Sequence, residues 1–243
     1  MTVNTQLLIY RDAVPVSRER HQDWYVEIGN NFSFGATVNS VPLMAAEFPL
    51  TASECPIVFG GTENEHVPAA ILGVRGEENL FIAADGTWSG KYIPAFLRRY
   101  PFVFSHSADR LVLCVDEAFP GFNREGRGQR LFAEDGTISP YVTGVLNFLQ
   151  DYQVQFNATR QFCDRVKALG LLEPMQAQVK MDGGETSALS GFSIVNRDRL
   201  KALPAETLQE MAKSDELELI YLHLHSMRHF NDLGGMLARR VRH

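Results

Sequence analysis

The connections between the apolar runs of residues 39–117 are too short to carry a chain across a sheet. Pro56-Ile57-Val58-Phe59 closes on Gly60-Gly61, and residues 68–74 close on Gly76. Asn79-Leu80-Phe81-Ile82-Ala83 runs into Asp85-Gly86, a dipeptide suited to the positive φ of a hairpin turn. Phe102-Val103-Phe104 and residues 111–115 follow, joined by the polar turn SHSADR. Short apolar runs bounded by turn residues read as strands. Parallel pairing needs a crossover of roughly a dozen residues or more, so these strands are expected to pair antiparallel, in an α+β rather than a βαβ arrangement. One segment breaks the period. Tyr92, Ile93, Phe96, Leu97 and Tyr100 recur at helical spacing with Arg98 and Arg99 off the stripe, which predicts a short amphipathic helix stopped by Pro101.

Outside that stretch, residues 7–10 and 24–28 read as strands, residues 13–21 as polar and irregular, and residues 31–38 as strand or loop. The Gly- and charge-rich run from Ala118 reads as a surface loop whose Arg124, Arg127 and Arg130 are either solvated or hold an anion. Ser139 is suited to an N-cap, Pro140 to the first helical position and Gly170 to the stop, which predicts one long helix between them. Residues 178–181, Asp182-Gly183-Gly184 and residues 186–195 predict a second hairpin. Asn196, Pro204 and Ser214 each open a helix. The expected architecture is α+β: a mostly antiparallel sheet packed on a long helix, with a C-terminal helical subdomain. Residues 1–243 form one domain, with 171–175 as the best place for a division.

Charge and hydropathy remove several function classes. A net charge of −6 argues against a nucleic-acid partner. No run approaches the ~18 apolar residues of a membrane span. The start of the chain lacks the charged and apolar segments of a secretory signal. Cys55, Cys114 and Cys163 are odd in number and have no metal or CxxC spacing, so they read as buried, reduced thiols of a cytoplasmic protein.

No GxSxG, P-loop, dinucleotide fingerprint or HxD…H triad is present. The candidates are therefore constellations. Trp88, Tyr92, Phe96 and Tyr100 form either an apolar binding groove or plain core. Glu47, set between Ala46 and Phe48, reads as a buried carboxylate paired with Arg98 or Arg99. Asp116 and Glu117 end a strand, where site residues often sit, although adjacent strand residues point to opposite faces. On a single last helix, Glu218, His225, His229 and Asp232 fall on one polar face at 100° per residue. Two histidines at i and i+4 with carboxylates nearby either chelate a divalent metal or form a solvated face. Ser17-Arg18-Glu19-Arg20-His21 is a polar cluster, and Arg239-Arg240-Val241-Arg242-His243 a basic end.

Val41-Pro42-Leu43, Ala46-Glu47-Phe48-Pro49, Pro56-Ile57-Val58-Phe59, Glu78-Asn79-Leu80-Phe81, the run from Tyr92 through Phe102 and Cys114-Val115-Asp116-Glu117 together resemble the SapC-like family of bacterial proteins. The likeness extends to VPVSRERH, GLLEP, FSIVNRDRLKALP and ELELIYLHLHS, so it spans nearly the whole chain. The resemblance implies a link by name to surface-layer assembly and brings no catalytic residues with it. The leading expectation is a non-catalytic cytoplasmic accessory or binding protein that handles cell-envelope or surface-layer proteins. It has no cofactor, and its partner is an unknown protein or peptide. The alternative is a metal-dependent oxygenase or hydrolase built on His225, His229, Glu218 and Asp232. A homo-oligomer joined through the last helix is a third possibility.

Overall fold

The computed structural model describes residues 7–62, 65–107, 110–180 and 186–241. In chain order the elements begin with β1 (Ala13–Pro15), α1 (Arg18–His21), β2 (Tyr25–Val26), β3 (Ser40–Pro42), α2 (Phe48–Thr51), β4 (Ile57–Gly61) and β5 (His66–Ile71). Next come α3 (Ala95–Arg98), β6 (Phe102–Ser107), β7 (Arg110–Asp116), β8 (Phe122–Asn123), β9 (Gln129–Arg130) and α4 (Pro140–Ala168). The chain ends with β10 (Leu172–Lys180), β11 (Thr186–Val195), α5 (Arg197–Lys201), α6 (Ala205–Lys213), α7 (Glu216–Ser226) and α8 (His229–Val241). Among the described residues every strand pairing is antiparallel. The sheets are ordered β10-β11-β4-β5-β3, β1-β7-β6 and β8-β2-β9. The architecture is α+β, with a long helix and C-terminal helices.

The long helix ties two cores together. Ser139 caps it by accepting a hydrogen bond from Val142 N at 3.2 Å, and Gly170 ends it at φ +63, a backbone conformation that side chains with a Cβ rarely adopt. At 29 residues it is roughly 43 Å long. Its N-terminal half places Val142 and Leu149 in a smaller core with Val26, Phe102, Val115 and Leu131. Its C-terminal half places Phe162, Cys163 and Val166 in the larger core, with Phe48, Phe59 and the five-stranded sheet. Val154 points away and is 63% exposed.

Several elements differ from the sequence expectation, each for a tertiary reason. Residues 7–10 form a turn rather than a strand. The strand begins at Ala13 instead, because the Arg11 and Asp12 N–H groups are taken by the Asp116 carboxylate at 2.8 and 3.0 Å. The expected 92–100 helix shrinks to one turn that starts after Pro94. Residues 79–83 contribute only an isolated bridge, Ile82 to Trp88, although the Asp85-Gly86 turn forms with Gly86 at φ +85. The first strand of the second hairpin, expected from residue 178, already begins at Leu172 as β10. Glycine-rich residues 118–130 hold two short strands on β2, with Asn123 organising the turn by donating to Arg127 O and accepting from Arg127 N. The Asp182-Gly183-Gly184 turn, the tip of SHSADR and the final Arg242-His243 lie outside the described residues.

The last helix is two helices, α7 and α8, and three bonds to the sheet hold the end of α7. Buried His223 accepts from Val195 N at 3.0 Å through Nε2, and its Nδ1 donates to Ile57 O at 2.7 Å. Ser226 Oγ accepts from Ile57 N at 2.9 Å. β11 pairs with β4 only at Phe192–Gly60 and Ser193–Phe59. Where the two strands part, α7 supplies the hydrogen-bond partners that the ladder no longer provides.

Candidate functional site

Strand alternation gives the β1-β7-β6 sheet two different faces. Val14, Val115 and Phe102 share a rung on one face and pack into the smaller core. Pro15, Cys114 and Val103 share the neighbouring rung, with Ala13 and Ser105 on the same side. This second face does not meet a core. It forms one wall of a cleft of about 490 Å³. The other wall is α4, where Leu149, Tyr152, Gln153, Phe156, Asn157 and Arg160 line the cleft. Their spacing of three and four residues places them on one helical stripe. The stripe starts at Leu149, which belongs to the smaller core, and ends before Phe162, which belongs to the larger, so the cleft runs along the stretch of α4 that bridges the two.

Arg99 closes the inner end. It is 3% exposed, and its guanidinium carbon lies 4.4 Å from the Phe96 ring centre, 4.9 Å from Tyr152 and 5.6 Å from Tyr10. Beside it, the buried Tyr152 hydroxyl has no hydrogen-bond partner among the described residues. Burial pushes Tyr152 up to about 12, so it keeps its proton at neutral pH and remains a donor. Burial raises Tyr10 as well, with Arg99 acting against the rise; the Tyr10 hydroxyl donates to Phe102 O at 2.7 Å. The cleft lining carries two arginines, Arg99 and Arg160, and no carboxylate among the described residues.

The sequence candidates fall on different sides of this wall. Arg98 lies in a more open notch that Arg99 also lines, with its guanidinium over Phe148 at 5.3 Å and over Tyr92 at 5.7 Å. Phe96 is fully buried. Tyr100 stacks on Phe34 at 4.2 Å and Trp88 on Phe81 at 5.3 Å. Trp88, Tyr92, Phe96 and Tyr100 therefore do not share a single groove.

Glu47 is buried, and its hydrogen bonds among the described residues come from one tyrosine and two backbone N–H groups. Its carboxylate accepts from Met44 N at 2.8 Å, Tyr92 Oη at 2.7 Å and Ala95 N at 2.7 Å. Arg98 reaches it only through Tyr92, to whose hydroxyl it donates at 3.2 Å.

Asp116 is fully buried, and Arg11 N, Asp12 N, Tyr100 Oη and Ala118 N all donate to it. Burial, and then the charge on Asp116, raise the Tyr100 hydroxyl. Glu117 turns to the other side, as alternation requires. It meets Arg20 and, at 2.9 Å, His21 Nε2. Burial would raise Glu117, but hydrogen bonds and charge from Arg20 and His21 hold it below the usual carboxylate range. This cluster joins the SRERH segment to the strand end 96 residues away, a pairing with no local signal.

The histidine face of the sequence reading is divided by the helix break. Glu218 and His225 are exposed on α7, beside Tyr221 and Leu224. His229 is buried on α8, with Nδ1 at 2.6 Å from Asp232 and Nε2 at 3.1 Å from Ala52 O. Among the described residues no three His, Cys, Asp or Glu side chains gather as a metal-ligand group. The three cysteines are free and buried, and burial raises each thiol, Cys163 to about 12. No helix among the described residues is long and apolar enough to cross a membrane. The arginines of the 118–130 loop are spread over separate partners, Arg127 on Glu27 and Glu125 and Arg130 on Glu134.

Sequence reasoning found Arg99 but missed Tyr10, Tyr152 and Arg160. The signal for the last two was the α4 stripe itself, which changes from Leu149 to Tyr152, Asn157 and Arg160 while keeping its period.

An α+β fold with this cleft is one that many families could carry, and the assignment comes from the whole chain. The SapC family model matches residues 16–233, so this chain belongs to the SapC family. No curated protein and no solved structure matches it.

Proposed function

We propose that this SapC-family chain is a non-catalytic binding protein and that the cleft between α4 and the β1-β7-β6 sheet is its binding site. One observation carries the reading. A half-open space of about 490 Å³, within the range of small-molecule sites, is lined by a sheet face that joins neither core and by the α4 stripe that runs from Leu149, at the edge of the smaller core, to Arg160. Its inner end holds a buried hydroxyl with no partner among the described residues.

The groups suited to proton transfer support binding over catalysis because they are engaged elsewhere. Glu47, Asp116, Glu117, His223 and His229 each hold two or more partners in the fold. The reading needs no metal and no cofactor. Three free, buried thiols support a reducing compartment such as the cytoplasm. The family name supports an accessory role in handling cell-envelope or surface-layer proteins.

Titration with the neutral apolar dye Nile red tests the site. Saturable binding is expected for the native chain. It should be abolished in Gln153→Trp, which fills the cleft from the half-exposed side of α4, while the melting temperature stays the same. Undiminished binding to Gln153→Trp would remove the cleft from the reading.

A further inference from the structure

The chemistry of the cleft lining restricts what it can hold. The middle of the cleft is apolar, from Leu149 and Phe156 on the helix to Pro15 and Val103 on the sheet. The inner end combines the Arg99 guanidinium with the Tyr152 hydroxyl. Aromatic rings lie against Arg99. A guanidinium bonds a carboxylate in its own plane, so stacking on its faces and pairing at its edge are compatible. The second arginine, Arg160, sits on the exposed outer turn of the same stripe.

Resting on the binding-protein reading above, we propose that the cleft binds a small apolar carboxylic acid, an alkyl or aryl chain ending in one carboxylate. The carboxylate meets Arg99 and accepts the hydrogen bond that Tyr152 Oη donates. The apolar body lies between α4 and the sheet face. A peptide of the same length is disfavoured, because its backbone brings an amide at every residue. The walls formed by Ala13, Pro15, Val103, Leu149 and Phe156 offer no side-chain partner for those amides, so a peptide would satisfy only the amides that reach Ser105, Gln153 or Asn157.

Isothermal titration calorimetry with decanoate, decan-1-ol and N-acetyl-trileucine separates the outcomes. Decanoate is expected to bind saturably with one site per chain, and decan-1-ol and the peptide at least about tenfold more weakly, since a charged hydrogen bond is lost or the amides are unpaired. Tyr152→Phe removes only a hydroxyl that no described residue uses, so the melting temperature is expected to hold. Decanoate affinity should fall about tenfold and decan-1-ol affinity should not change. A purely structural tyrosine would not produce that split between the two probes. Equal binding of decanoate and decan-1-ol, an unchanged decanoate affinity in Tyr152→Phe, or tighter binding of the peptide overturns the proposal. If Nile red and decan-1-ol still bind and are blocked by Gln153→Trp, the carboxylate assignment fails and the cleft reading stands. If no probe binds, both fail.

Discussion

Single residues show where buried charge and hydrogen bonding are used to build rather than to react. His223 is the sharpest case. It is fully buried, its two nitrogens join Ile57 O to Val195 N, and burial lowers it from 6.5 to about 4. Both bonds need the neutral ring, with one nitrogen donating and the other accepting. A folded value below the unfolded one means that the unfolded chain binds more protons between the two. Stability is therefore fully present above the unfolded value and lost as the pH falls from about 6.5 toward 4. About 2 kcal/mol should be lost between about pH 7 and about pH 5 from this ring alone. Urea midpoints at those two values check it. His223→Gln keeps one donor and one acceptor without a titrating group, so it should show a smaller loss than the native chain by that amount. Equal losses in the two proteins would place the acid sensitivity elsewhere.

Among the elements, α4 was legible from the sequence because its signals are local: Ser139 at the cap, Pro140 in the first turn and Gly170 at the stop. Ser139 does more than cap, since its hydroxyl also donates to Arg130 O at 2.6 Å and so fixes the β9 end to the helix. Ser139→Ala should cost about 1 kcal/mol and lower the melting temperature by roughly 2–4 °C, with helix content unchanged by far-ultraviolet circular dichroism. Where the sequence reading failed, the cause was a partner far along the chain. No Gly or Pro marks the break between α7 and α8; the marks are Ile57 and Ala52, which bind Ser226 and His229 from the other side of the core. β1 was hidden for the same reason, since its approach is held by Asp116. Half of the cleft was visible as a stripe on α4. The sheet wall depends on the register Pro15–Cys114–Val103, which no pattern within one strand announces.

For the whole molecule, the question raised by α4 is whether the two cores stand or fall together. The helix contributes Val142 and Leu149 to one and Phe162 and Val166 to the other. Loss of either core would leave half of a long helix without the packing that stabilises it, and helices gain most of their stability from such packing. The two tryptophans report on the cores separately. Trp24 packs in the smaller core against Phe122 at 5.3 Å, and Trp88 packs on the larger one against Phe81. Trp88→Phe leaves fluorescence from the smaller core, and Trp24→Phe leaves it from the larger. In urea the two single-tryptophan proteins should unfold along superimposable curves, matching circular dichroism. Leu149→Ala, cut into the smaller core, should destabilise both reporters equally, by about 2–5 kcal/mol. If only the Trp24 signal shifts, the cores are separate cooperative units. The cleft between them would then be a joint that opens, and ligand binding there would stabilise the junction ahead of either core.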